Sequence, residues 1–171
     1  MSKEIWDLYD RDGKKTVETY ERHFGNFKNI PKGRYHLVVD LLVLHSDGTY
    51  LLTKRSESKD VYPGYWEASA GGSAIQGEDP ETAARRELYE ETGLVPDSLE
   101  LVGQSFSDKS HAMYYSYLAK VSSDKENIVL QEGETTDFKW VDKDGLLSYV
   151  DSDQAMDAHN QRYGKYIETL R

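Results

Sequence analysis

Cysteine is absent from the 171 residues, which excludes disulfides, thiolate metal sites and a cysteine nucleophile. No apolar run approaches the roughly 18 residues that a membrane-spanning helix needs. The first residues, MSKEIWDLYD, lack the apolar core of a secretory signal. Basic residues are scarce: 21 Lys and Arg face 31 Asp and Glu, for a net charge of −10. Such a surface argues against broad electrostatic binding to nucleic acid or anionic membrane. A soluble cytoplasmic protein is the expectation. If the substrate is itself an anion, the chain needs a local remedy, either a bound metal ion or a focused basic patch.

The length fits one domain over 1–171, enough to bury a sizeable core. Thirteen tyrosines and three tryptophans supply packing surface, and a few could stack on a planar ligand. Alternation around Trp6 and Leu8, the turn Asp10-Arg11-Asp12-Gly13, and Thr16 to Tyr20 read as a hairpin leading the domain. The polar stretch from His23 to Gly33 reads as a loop, so that 1–30 form a hairpin extension. His36 to Leu44 (HLVVDLLVL) is nearly continuous apolar sequence, expected as a strand buried on both faces. Ser46-Asp47-Gly48 turns it back into Tyr50 to Lys54. Tyr65 to Ala70 is expected as a short strand ending at Gly71-Gly72, and Leu99 to Phe106, Ala112 to Val121 and Thr136 to Val141 as three more. Asp142 to Tyr149 suggests a short helix. A second, amphipathic helix from about Asp153 would carry Met156, Tyr163, Ile167 and Leu170 on one face. Strands, helix, strands and helix in that order predict helices around a mixed central sheet.

Residues 72–94, GSAIQGEDPETAARRELYEETGL, carry the chemistry. Pro80 suits the first helical position, Asp79 can cap the first turn, and Gly93 can end the helix in a left-handed conformation. Glu87, Glu90 and Glu91 then stand at i, i+3 and i+4, with their carboxylates on one face. Three like charges near a helix C-terminus repel one another. They are tolerable as a solvated face, or as oxygen ligands for a hard divalent cation.

The same residues read as Gly72, five residues, Glu78, seven residues, then Arg86-Glu87-Leu88-Tyr89-Glu90-Glu91-Thr92-Gly93-Leu94. They resemble the complete signature of the Nudix hydrolases, GX5EX7REUXEEXGU with U aliphatic. Chance agreement at nine positions has odds on the order of 10⁻⁸ to 10⁻⁷. The resemblance implies an α/β/α sandwich with a mixed sheet. It also implies hydrolysis of a pyrophosphate linkage in a nucleoside diphosphate derivative or similar small molecule, with Mg²⁺ or Mn²⁺. By motif position Glu87, Glu90 and Glu91 are the implied metal ligands, one of them a candidate general base. The Gly71 carbonyl is a further candidate ligand. Arg86 and Glu78 would orient the acids.

Outside the signature, Glu134 resembles a later-loop acid that many relatives use as base or ligand, with Glu132 and Asp137 as competitors. Arg55 resembles an arginine near the substrate phosphates, and could equally be the polar end of an edge strand. Tyr62, Tyr65 and Trp66 are candidates for the mouth of the cleft, with packing as the competing role. The N-terminal half resembles the branch related to isopentenyl diphosphate isomerase. That isomerase needs a cysteine and a histidine where this chain has Gly71 and Ser73, although His36 matches one of its metal-binding histidines. A non-catalytic nucleotide sensor is a third reading, which would require a damaged carboxylate cluster. Many related enzymes are dimers, and the hairpin or the aromatic strand could pair in a homodimer.

Overall fold

The computed structural model describes residues 3–23, 29–156 and 159–171. In chain order the strands are β1 (Ile5–Tyr9), β2 (Lys15–Glu21), β3 (Tyr35–His45), β4 (Tyr50–Arg55), β5 (Trp66–Ala68) and β6 (Ala70–Ser73). Helix α1 (Pro80–Thr92) follows, then β7 (Ser98–Ser107), β8 (Ala112–Val121), β9 (Thr135–Val141), α2 (Lys143–Val150) and α3 (His159–Leu170).

β3 is the axis of a nine-stranded mixed sheet. It runs antiparallel to β1, β4 and β6, and parallel to β8 from the pair His36/Ala112 to the pair His45/Val121. Its side chains alternate between faces, as a strand requires. Leu37, Val39, Leu41 and Val43 pack in one cluster with Ala83, Ala84 and Leu88 of α1. Leu42 packs with Leu146 and Tyr149 of α2 and Tyr163 and Ile167 of α3. Two covered faces explain the near-continuous apolar run, and the expected sandwich of helices around a mixed sheet is what forms. Among the described residues, no helix is long and apolar enough to cross a membrane.

α1 has the limits that its sequence predicts. Asp79 accepts a hydrogen bond from the Thr82 N–H at 2.8 Å, and Gly93, at φ +75°, returns its N–H to the Tyr89 carbonyl. The leading hairpin also forms. It adds to the sheet through Leu8 opposite His36 and Tyr9 opposite Tyr35. Asp7 then ties it to the loop before α1, accepting from the Gly77 N–H at 2.8 Å and pairing with Lys15.

Two expectations are corrected. The single strand from Tyr65 to Ala70 is two strands, β5 on β4 and β6 on β3, divided at Ser69. Ser69 sits at φ +39°. Its hydroxyl donates to the Leu51 carbonyl and accepts from the Val43 N–H, while its own carbonyl accepts from the Thr53 hydroxyl. Three buried hydrogen bonds hold a backbone conformation that L residues otherwise avoid. The last helix begins at His159, not near Asp153. Turn hydrogen bonds from Ser152 to Tyr149 and from Ala155 to Ser152 occupy the chain there, so Met156 precedes the helix. The expected loop from His23 to Gly33 lies partly outside the described residues.

Candidate active site

Helix α1, strands β3, β5 and β6, and the loops after β4 and before β9 enclose a cleft of about 460 Å³. Glu87, Glu90, Glu91, Arg86, Gly71, Arg55 and Glu134 all line it. Tyr65 is not among the lining residues and is 42% exposed; its neighbour Tyr62, against which it packs edge-on, does line the cleft. Trp66 has the Lys139 ammonium over its ring.

The three glutamates of the helix face different surroundings. Arg86 collects most of the charge around it. Its Nε and Nη2 donate to the two oxygens of Glu78 at 2.7 and 2.9 Å, and Nη1 donates to Glu87 at 2.8 Å and Glu90 at 3.1 Å. Nη2 also reaches the Ser73 carbonyl, which locks the helix to β6. Burial pushes the Glu78 carboxyl up, but the bonds from Arg86 and the Ile75 N–H outweigh it and hold the group below its usual range. Burial raises Glu87 despite Arg86. Glu90 is the exposed member.

Glu91 is buried, and among the described residues no ion pair reaches it. Desolvation pushes its carboxyl well above the usual range, and the charges of Glu67, Glu87 and Glu134 push it further. Lys59 opposes this, yet that ammonium is bound to Glu134. The Glu134 main chain is fixed too, its carbonyl accepting from the Ser56 N–H at 2.9 Å.

Gly71 and Gly72 are required by space. A Cβ on Gly72 would lie about 2.5 Å from the Glu87 carboxylate; one on Gly71 would lie 2.8 Å from the Val39 carbonyl and 3.1 Å from Asp40 Oδ1. Successive residues of β6 point to opposite faces, so an acid presses on each side of the strand. Three residues absent from the sequence-based expectations complete this half of the cleft. Asp40 on β3, opposite Gly71, accepts from Arg162 of α3 at 2.9 Å. Glu67 on β5 pairs with Arg55, whose Nη1 lies 3.1 Å from Oε2. Burial raises both acids against the pull of their arginines. A lone acid inside HLVVDLLVL was a readable sign of Asp40; nothing local marks Arg162. His36 also lines the cleft, with its ring stacked on Trp6 at 4.2 Å and Nδ1 2.8 Å from the His111 carbonyl. Burial lowers it to about 4, so it is neutral near pH 7.

Among the described residues, no three acids or histidines are gathered closely enough to hold a cation as they stand, because Arg86 draws Glu87 and Glu90 to itself. The donor set nonetheless suits a hard divalent ion: carboxylate oxygens, the backbone of two glycines, and in Glu91 a buried acid in want of a cation.

Comparison with known proteins adds to this geometry. The NUDIX domain family matches residues 34–165. The chain is 34% identical over 145 residues to an uncharacterized Nudix hydrolase of Listeria innocua, covering 84% of this chain and 82% of that protein. It is 34% identical over 119 residues to the nucleoside triphosphatase NudI of Escherichia coli, covering 63% of this chain and 82% of that protein. A crystal structure from Deinococcus radiodurans superposes with a TM-score of 0.67 at 22% identity, over 98% of each chain. The NUDIX domain of Shewanella oneidensis NrtR, complexed with ADP ribose, gives 0.61 at 21% identity, over 88% of this chain and 100% of that one.

Proposed function

The chain belongs to the Nudix family of hydrolases, and from that premise we propose that it is a pyrophosphohydrolase of small phosphoanhydrides that works with Mg²⁺ or Mn²⁺. The observation that carries the reading is Glu91, a buried acid crowded by Glu67, Glu87 and Glu134 with no cation of its own. An acidic cleft repels a pyrophosphate unless cations stand between them.

The family generally uses divalent metal ions. Glu87, Glu90, Glu91 and the Gly71 carbonyl would hold them here. Bound there, a divalent ion neutralises phosphate oxygens and lowers the pKa of a coordinated water. The remaining work belongs to the protein. Arg86 is a positioning residue that presents Glu87 and Glu90 from a fixed fork. Glu134, held by Lys59 across the cleft from Glu91, is the candidate to accept the proton of the attacking water. Arg55, fixed by Glu67 and by the Val61 carbonyl, would meet the phosphate oxygens beyond the scissile bond. NudI is a nucleoside triphosphatase, so nucleoside di- and triphosphates and their derivatives are the substrates to try first. We assign the activity to the whole chain as one cytoplasmic domain, with the N-terminal hairpin as an integral part and a homodimer as a state to be tested.

The test is a hydrolysis screen over nucleotide and non-nucleotide diphosphates with Mg²⁺ or Mn²⁺ in ¹⁸O-labelled water, with products identified by mass. Turnover with one labelled phosphate product, abolished by chelation, is expected. No cleavage of any phosphoanhydride with either metal would sink the proposal.

A further inference from the structure

Five cations line the cleft, and each is paired with an acid. Arg22 is the most open of them: 42% of its side chain is exposed, against 17–23% for Arg55, Lys59, Arg86 and Arg162. It enters from the leading hairpin, ahead of residues 34–165 that match the family. One corner of its guanidinium is held. Nη1 donates to Glu4 Oε2 at 3.1 Å and Oε1 at 3.4 Å, and the group lies over the Trp6 ring at 5.8 Å. Glu4 is oriented in turn, its Oε1 accepting from the Trp6 Nε1–H at 2.8 Å. Nε and Nη2 of Arg22 make no hydrogen bond among the described residues, so one side of the planar fork is left for a ligand in the cleft.

Strand order sets where that ligand would lie. β8 takes one edge of β3; along the other, β1 pairs at His36, β6 from Val38 to Leu41, and β4 at Leu44. The hairpin and β4 therefore stand on either side of β6, whose Gly72 faces Glu87. The charges divide the same way: Glu4 acts on Glu87, whereas Glu67 and Glu134 act on Glu91. Arg55, paired with Glu67, thus serves one end of the glutamate row, and Arg22 serves the other. An exposed arginine with two free donors side by side suits a phosphoryl group, whose oxygens accept in pairs.

We propose that Arg22 is a substrate-binding residue whose Nε–Nη2 side takes a phosphoryl group at the opposite end of the cleft from Arg55, so that triphosphates are selected over diphosphates. The proposal rests on the pyrophosphohydrolase reading and deepens it. Glu4 is a positioning residue that holds Arg22 by Nη1.

The test is steady-state hydrolysis of the tri- and diphosphate of one nucleoside. The unaltered protein is expected to favour the triphosphate by more than about tenfold in kcat/KM, chiefly through KM, as a charged bidentate contact would give. Arg22→Gln is expected to bring the two within about threefold by raising the triphosphate KM rather than lowering kcat. Arg22→Lys, which keeps the charge and loses the fork, should fall between. Equal kcat/KM for the two substrates in the unaltered protein would overturn the proposal. So would an Arg22→Gln protein that loses kcat on both alike, since Arg22 would then be a prop for the hairpin. If Arg22→Gln does not fold, Glu4→Gln decides: it removes the competing carboxylate, so a lower triphosphate KM supports the proposal and an unchanged or higher one overturns it. If nothing is hydrolysed, the pyrophosphohydrolase reading fails on its own account. Calorimetric titration with inorganic triphosphate and pyrophosphate then decides: tighter triphosphate binding that Arg22→Gln abolishes supports Arg22, and any other result overturns it.

Discussion

The two ends of the signature treat their acids in opposite ways. Around Arg86 one guanidinium satisfies Glu78 with two hydrogen bonds and Glu87 and Glu90 with one each. Around Glu91 the acids outnumber the cations, and Lys59 and Arg55 are already committed to Glu134 and Glu67. The first arrangement already has a cation beside every acid and holds helix to strand. The second is unfinished, and its charge becomes tolerable once a cation arrives. The difference separates a clamp from a proposed site along one helix, although Glu78, Glu87, Glu90 and Glu91 all belong to one motif.

Removing either kind of residue should therefore break different properties. Arg86→Ala would leave Glu78 and Glu87 as half-buried acids with no counter-charge, Glu78 keeping only the Ile75 N–H, which costs about 1–3 kcal/mol. A large fall in Tm is expected by calorimetry, with activity lost as a consequence. Glu91→Gln should cut kcat by about 10² or more, equivalent to about 2.7 kcal/mol, because the proposed ion site would lose that oxygen. Tm at pH 8 should hold or rise, since a buried charge has gone. A Glu91→Gln protein that is less stable yet fully active would erase the distinction.

The neighbouring glycines sharpen the same contrast. Gly71→Ala would drive a Cβ to 2.8 Å from the Val39 carbonyl, a backbone atom that cannot step aside. The cost is expected at the upper end of about 1–3 kcal/mol, read from urea unfolding. Gly72→Ala meets only the end of the Glu87 side chain, at about 2.5 Å. That carboxylate can swing away, so the change should spare most of the stability and reduce metal-dependent activity. Equal losses of stability in the two variants would mean that β6 tolerates neither face being filled.

How much of this was legible depends on how local the cause is. The limits of α1 follow from Asp79, Pro80 and Gly93, all within or beside the helix, and they came out as expected. The spacing of Glu87, Glu90 and Glu91 put them on one face, but their unequal burial is set by β5, β6 and the 134 loop. The break at Ser69 depends on Leu51, Val43 and Thr53 from two other strands, so a strand pattern alone runs straight through it. Asp40 left a local trace as one acid in an apolar run. Its partner Arg162 arrives from the far end of the chain, and no pattern of period 2 or 3.6 carries that pairing.

The back of the sheet supplies a control of opposite sign. His159 is buried and neutral: its Nε2 accepts from the Ala68 N–H at 3.3 Å, beside a Tyr149 hydroxyl bound to the Trp66 carbonyl. Desolvation, with a smaller push from Arg162, lowers its pKa to about 4. The unfolded chain takes up that proton near 6.5, so between pH 6.5 and 4 the unfolded state holds more protons and stability rises with pH. This contribution is complete above about 6.5, and about 2 kcal/mol of it is lost between pH 7 and pH 5. Glu91 runs the other way. Its unfolded carboxyl ionises near 4.5 and its folded one higher, so the folded state keeps the extra proton and stability falls as pH rises past 4.5, levelling off above the raised value. In metal-free protein, His159→Gln should flatten the acid limb of the stability profile, and Glu91→Gln should flatten the limb above pH 4.5 that opposes it. If both variants flatten the same limb, the acids of the cleft are not carrying the uncompensated charge that distinguishes them from the clamp at Arg86.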